Sequence, residues 1–305
     1  MREIPISTNL WRSCGRYFVH KGRNIFYVDS ASQKAQTIAD KNIKPTLVLV
    51  HGFPTSSWDW TFLWHQLSRD YRLIALDLLG FGFSDKPKDI TYSILDQTDL
   101  VESFVKICEN TNNVHGVVVH DYGVSIGQEL LARSRTNSTF KFKGMCILNG
   151  GLFPETHRAK LIQKLLNSPL GFIISRFNSK KIMQSALASV FAESTQPSQE
   201  EHDAYWALIS EKDGHRLSHK LIKYINDRKA NRDRWVAALV ESSVPVRLIN
   251  GLKDPISGAH MVARYRELIP ASKWDIVELP SISHYPQVES PNEVADAIDV
   301  FMKKL

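Results

Sequence analysis

Val117-Val118-Val119-His120-Asp121-Tyr122-Gly123 is the stretch from which the fold is read. Three β-branched residues in a row, with no polar alternation, describe a strand buried on both faces. Residues 124–133 then carry a helical pattern, so strand and helix meet within Asp121-Tyr122-Gly123. A reactive side chain on so sharp a bend projects from the carboxyl edge of a sheet. A small residue two positions later lets the backbone turn. Asp121 followed by Gly123 meets that requirement.

Outward from this bend the same grammar repeats. Thr46–Val50 is a continuous apolar run, and similar runs recur at 73–76, 144–148, 246–249 and 274–279. Residues 16–20 and 24–29 flank Lys21-Gly22 and predict a β-hairpin. A polar stretch at 30–44 predicts a surface loop. Helical patterns separate the later runs. One covers 93–108, and another opens at Ser290-Pro291-Asn292-Glu293 with the spacing of a capping box. Strands alternating with helices build βαβ units and a mostly parallel sheet, so the class is α/β. From about Gly151 to about Glu241 the alternation stops, with helices expected at 157–166, 180–191, 198–210 and 217–239. The expected organisation is a core of residues 1–150 and 242–305, with a helical lid of residues 151–241 inserted between two strands.

Composition narrows the function. With 43% hydrophobic and 23% charged residues the chain can bury a large core. The formal charge of +6 is spread along the sequence. The densest basic stretch, 228–234, contains Asp233 and reads as a solvated helix face, which argues against nucleic acid as a partner. Cys14, Cys108 and Cys146 have no metal-ligand spacing and sit among apolar neighbours, as in a reducing compartment. No N-terminal apolar run resembles a signal peptide, and no window is long enough to span a bilayer. A cytoplasmic location without metal or organic cofactor is expected; the oligomeric state is not encoded legibly.

Two further strand ends carry reactive residues. Asn250-Gly251-Leu252-Lys253-Asp254-Pro255 places an acid just beyond the 246–249 strand, and Ser281-Ile282-Ser283-His284 places an imidazole between the last strand and the last helix. Nucleophile, acid, histidine is the chain order of a hydrolytic triad on this type of sheet. In His51-Gly52-Phe53-Pro54 the N–H of Phe53 could join that of Tyr122 as an oxyanion hole. Individually these residues have blander uses: Asp121 as a helix cap, Asp254-Pro255 as a turn, His284 as a hydrogen-bonded loop residue. His51 and His120 are assigned to structural hydrogen bonding, and the glycines of 77–85 to a structural turn. A rival nucleophile exists, since Gly123-Val124-Ser125-Ile126-Gly127 matches G-x-S-x-G. Ser125 falls about one helical turn beyond Asp121, and promoting it would draw the Asp121 carboxylate into the sheet.

HGFPTSSWDW at 51–60, DLLGFGFSDKP at 77–87 and HDYG at 120–123 resemble the epoxide hydrolase and haloalkane dehalogenase branch of the α/β-hydrolases. A closer likeness to one hydrolase-like member of that branch runs from about Trp11 to the C-terminus, through NGGLFPETHR at 149–158, YINDRK at 224–229 and SHYPQVESP at 283–291. The resemblance implies a lid over the catalytic edge, Asp121 as nucleophile, His284 as base and Asp254 as its acidic partner. It also implies a covalent aspartyl–enzyme ester and an epoxide-type substrate, small to medium and apolar. Tyr224 matches the second of two lid tyrosines that protonate an epoxide oxygen. Tyr205 stands nearest to the first, out of register. Phe172, Phe177, Phe191 and Trp206 offer an apolar wall. Tyr122 replaces the branch's usual tryptophan, and Phe53 stands where similar dehalogenases carry asparagine or glutamate. A serine carboxylesterase using Ser125, a haloalkane dehalogenase and a lidded binding protein without catalysis remain open alternatives.

Overall fold

A computed structural model describes residues 2–31, 44–108, 114–136 and 140–305. The stretch expected to be a surface loop, 30–44, lies almost wholly outside these residues. Eight strands form one sheet: β1 (Arg16–His20), β2 (Arg23–Asp29), β3 (Thr46–Val50), β4 (Arg72–Leu76), β5 (Val114–His120), β6 (Phe142–Leu148), β7 (Val246–Gly251) and β8 (Ile276–Leu279). Their order is β1-β2-β4-β3-β5-β6-β7-β8. The hairpin β1–β2 and the β2–β4 pair are antiparallel, and every later pair is parallel.

The continuous apolar runs are the parallel strands. Val48 and Val50 pack into one core cluster and Leu47 and Leu49 into the other, because alternate side chains point to opposite faces and helices cover both. Lys21 and Gly22 turn the hairpin with φ of 47° and 74°, the left-handed pair that matches strand twist. The helix expected at 93–108 spans Ile94–Cys108. The 290–293 capping box does not close. Ser290 sits at φ −140°, ψ 64°, and its hydroxyl donates to Glu293 Oε2 at 2.7 Å instead of accepting a backbone N–H.

All seven α-helices from Leu161 to Glu241 fall between β6 and β7. The helix Gly171–Arg176 falls in the gap between the helices expected at 157–166 and 180–191. The single helix expected at 217–239 is divided into Ser218–Leu221, Tyr224–Ala230 and Arg232–Glu241. Asn231 makes the second break, its side-chain amide donating to the Asp227 carbonyl at 2.9 Å. The last piece packs on Tyr122–Ser134, a helix of the core. Buried Trp235 donates its indole N–H to Glu129 Oε2 at 2.8 Å, beside buried Ala238.

Candidate active site

The bend after β5 is built by close backbone contact. Asp121 takes φ 43°, ψ −98°, a conformation that costs about 1–3 kcal/mol and persists only where its surroundings impose it. Its N–H donates to the Asn149 carbonyl at 2.9 Å, and that of Gly123 to the His51 carbonyl at 3.1 Å. A Cβ at Gly123 would lie 2.5 Å from the Val50 carbonyl oxygen, so the strand ends beside a position only glycine can fill. β5 and the neighbouring β3 thus deliver Asp121 and the His51-Gly52-Phe53 turn to the same carboxyl edge.

Three groups meet there. The Phe53 N–H donates to Asp121 Oδ2 at 3.0 Å. His284 Nε2 faces Asp121 Oδ1 across 4.0 Å, and its Nδ1 bonds Asp254 Oδ2 at 2.7 Å. Asp254 Oδ2 also accepts from Asn149 and Ser257, and Oδ1 from the Ile256 N–H. Burial opposes the Asp254 charge, but His284 and these hydrogen bonds outweigh it and hold the carboxyl below its usual range. For His284 burial opposes protonation, and Asp254, their hydrogen bond and Asp121 together raise its pKa to about 9.

The imidazole is fixed through its backbone. The His284 N–H donates to Val190 of the inserted segment at 3.1 Å, and its carbonyl accepts from His120 Nε2 at 2.8 Å. Gln287 completes His120 by bonding its Nδ1 at 3.1 Å. Burial, then the neighbouring His284, lowers the His120 pKa to about 3, so His120 stays neutral and donates. His51 Nε2 accepts from the Leu78 N–H at 3.0 Å. Both histidines are fully occupied in structural bonds.

Ser125 is not at the bend. It lies buried inside the helix Tyr122–Ser134, its hydroxyl accepting from Arg228 Nε at 2.7 Å. Arg228 corrects the reading of 228–234 as a solvated face. It is buried, its Nη2 donates to the Asp121 carbonyl at 2.7 Å and approaches Asp121 Oδ1 at 3.6 Å, and its guanidinium stacks 4.5 Å from the Tyr224 ring. Arg232 and Arg234 are spent on Glu155 and Glu129. Sequence reasoning missed Arg228 and Asn149. Arg228 falls four residues after Tyr224, which puts both on one face of the helix Tyr224–Ala230, and that spacing was the available signal.

Tyr224 is buried against Tyr122, ring centroids 4.9 Å apart. Burial first, then the charge of Asp121, pushes its phenol well up, so it keeps its proton. Tyr205 and Trp206 do not reach Asp121. Tyr205 is packed edge-on against Trp58 at 5.3 Å, and Trp206 lies over His215. The cavity above Asp121 encloses about 250 Å³ and is lined by Phe53, Ile174, Phe177, Leu187, His284 and Tyr285 among others. Of the aromatic residues expected in its wall, Phe177 lines it. Phe172 is exposed, while Phe191 stacks on Tyr285 at 4.9 Å.

Residues 47–297 match the model of the alpha/beta hydrolase family. The mesoderm-specific transcript protein of Mus musculus is 42% identical over 295 residues, covering 95% of this chain and 86% of that protein. LipZ of Mycobacterium tuberculosis, whose name includes the word hydrolase, is 34% identical, covering 95% of this chain and 96% of its own. The haloalkane dehalogenase DatA from Agrobacterium tumefaciens superposes with a TM-score of 0.76 at 20% identity, covering 95% of this chain and 96% of that one, which speaks to the fold alone. On the family match, and on a sheet that carries an acid, a second acid and a histidine to one edge in that fold's order, the chain belongs to the alpha/beta hydrolase family.

Proposed function

We propose that the chain is a hydrolase acting through a covalent aspartyl–enzyme ester on a small to medium apolar substrate with an electrophilic sp³ carbon, preferentially an epoxide. Asp121 Oδ1 attacks that carbon, the carbon–oxygen bond of the epoxide breaks, and the alkoxide takes a proton. Tyr224, which retains its proton beside Asp121, is the donor in this reading. Esterification removes the Asp121 charge, one of the influences holding His284 protonated. With that charge gone, His284, steadied by Asp254, accepts a proton from a water that attacks the Asp121 carboxyl carbon. The N–H groups of Phe53 and Tyr122 receive the developing oxyanion. The intermediate then collapses: the carbon–oxygen bond of the ester breaks, and the departing alkoxide takes the proton held by His284 and leaves as the diol. The second proton of the water returns to the Tyr224 phenolate, which leaves Asp121 as the free carboxylate.

The observation that carries this reading is the contact of the Phe53 N–H with Asp121 Oδ2, with the other oxygen facing His284 Nε2. Ester hydrolysis through Ser125 is disfavoured, because its hydroxyl is held by Arg228 and lies about one helical turn beyond Asp121, the residue that His284 faces. The test is a panel of epoxides, haloalkanes and short esters on wild type, Asp121→Asn and Ser125→Ala, with one turnover in heavy-oxygen water. Label in the Asp121 peptide and loss of turnover in Asp121→Asn are expected. Undiminished turnover in Asp121→Asn, or phosphonate labelling of Ser125, overturns the reading.

A further inference from the structure

The outer face of the inserted segment is apolar where a protein surface ordinarily is not. Leu161, Leu170 and Phe177 are 72%, 60% and 74% exposed, and Phe172, Ile173 and Ile182 are exposed beside them. They come from three successive helices, Leu161–Asn167, Gly171–Arg176 and Lys180–Ala188, and the turns between them. Leu166, Met183 and Leu187 of the same segment are buried. Single exposed apolar residues are normal, but a cluster from one segment marks a surface that something covers. Phe177 and Ile182 also line the cavity that holds Asp121 and His284, so the apolar surface continues from the outer face to the site.

Charge says what covers it. No aspartate or glutamate occurs between Glu155 and Glu193, whereas Arg158, Lys160, Lys164, Arg176, Lys180 and Lys181 all fall there. Lys180 is paired with Asp203 at 2.8 Å. Among the described residues Arg158, Lys164, Arg176 and Lys181 have no ion pair. A second copy of this chain would bring the same unrelieved cations face to face. A lipid surface bearing anionic headgroups meets both demands, with phosphates or carboxylates at the level of the lysines and arginines and acyl chains for the leucines and phenylalanines. Among the described residues no helix is long and apolar enough to cross a membrane, so the contact is in the plane of the surface.

We propose that this face, built from Leu161 to Ala188, docks reversibly on an anionic lipid bilayer and presents the mouth of the cavity to it. The surface is independent of the chemistry proposed for Asp121, and its test needs no turnover. The full chain is floated with vesicles of phosphatidylcholine alone and of phosphatidylcholine mixed with phosphatidylserine, at low and high salt. Binding about tenfold stronger to the mixed vesicles and weakened by salt is expected. Leu170→Ser/Phe172→Ser and Lys164→Glu/Lys181→Glu alter exposed side chains only; each should melt with the wild type and bind the mixed vesicles about tenfold more weakly. Equal binding to both vesicle types, no binding to either, or unaltered binding by both variants overturns the proposal. So does a wild-type dimer that Leu170→Ser/Phe172→Ser converts to monomer without any vesicle binding, which would give the face to a second copy.

Discussion

Removing the guanidinium of Arg228 tests whether the bend at Asp121 depends on it. Its Nε and Nη2 each make a 2.7 Å bond, to Ser125 Oγ and to the Asp121 carbonyl. A hydrogen bond from a charged donor contributes about 1.5–3 kcal/mol. Against this stands the cost of burying the cation, whose Nη1 finds no partner among the described residues. Removing one partner of a buried polar arrangement of this kind typically costs about 3–5 kcal/mol. Methionine fills much of the volume and none of the bonding, so Arg228→Met should lose about that amount. At roughly 2 °C per kcal/mol for a chain of this size, the midpoint should fall by about 6–10 °C. Arg228→Lys keeps the charge but cannot reach both acceptors and should fall between. The assay is thermal unfolding for the midpoint and urea unfolding for the free energy, both followed by tryptophan fluorescence, on wild type, Arg228→Met, Ser125→Ala and the double variant. The cycle should show a coupling of about 1.5–3 kcal/mol. Melting of Arg228→Met with the wild type, or no coupling to Ser125, would refute the claim that this cation holds the bend.

Protonation of His284 gives a second prediction. Burial opposes it, yet Asp254 and Asp121 raise its pKa from 6.5 to about 9. A raised folded value stabilises fully below pH 6.5, and the contribution is lost as pH climbs through about 9. Imidazole nitrogen NMR should show the high midpoint in wild type and a clear downward move in Asp254→Asn; a wild-type midpoint at or below 6.5 contradicts the geometry. Glu129 behaves with the opposite sign. Burial raises its pKa, but bonds from Arg234, Trp235 and Arg133 lower it overall, so its stabilisation is present above pH 4.5 and lost as pH falls through the folded value. Glu129→Gln should cost about 1–3 kcal/mol at neutral pH in thermal unfolding, and a constant deficit down to acid pH would argue against the ionic account. Gly123→Ala puts a Cβ 2.5 Å from a backbone oxygen that cannot move alone. It should destabilise by about 1–3 kcal/mol and abolish turnover in the substrate panel, and an active, unshifted variant would show that the bend tolerates a side chain.

The sequence by itself determined the sheet. Thr46–Val50 can be buried on both faces only as a strand covered by helices, and the recurrence of such runs between helical patterns leaves few topologies. It also put Asp121, Asp254 and His284 beyond strand ends, and β5, β7 and β8 end before them, because a strand end is a local event of apolar run, glycine and turn. Where tertiary packing chose between equals, the residues were silent. The spacing of Arg228 from Tyr224 groups the two on one helix face without saying that this face turns inward, and nothing local says that Tyr205 is spent in a core against Trp58, or that Arg232–Glu241 packs on Tyr122–Ser134. A helix face in the inserted segment is defined only by what lies opposite it, and several of its faces are apolar enough to be buried. The partner that settles the matter comes from a distant part of the chain: the Asp121 carbonyl for Arg228, the His284 loop for Val190. Strand placement is fixed by nearest neighbours in sequence; which side chains reach the site is fixed by contacts that exist only after the chain has closed on itself.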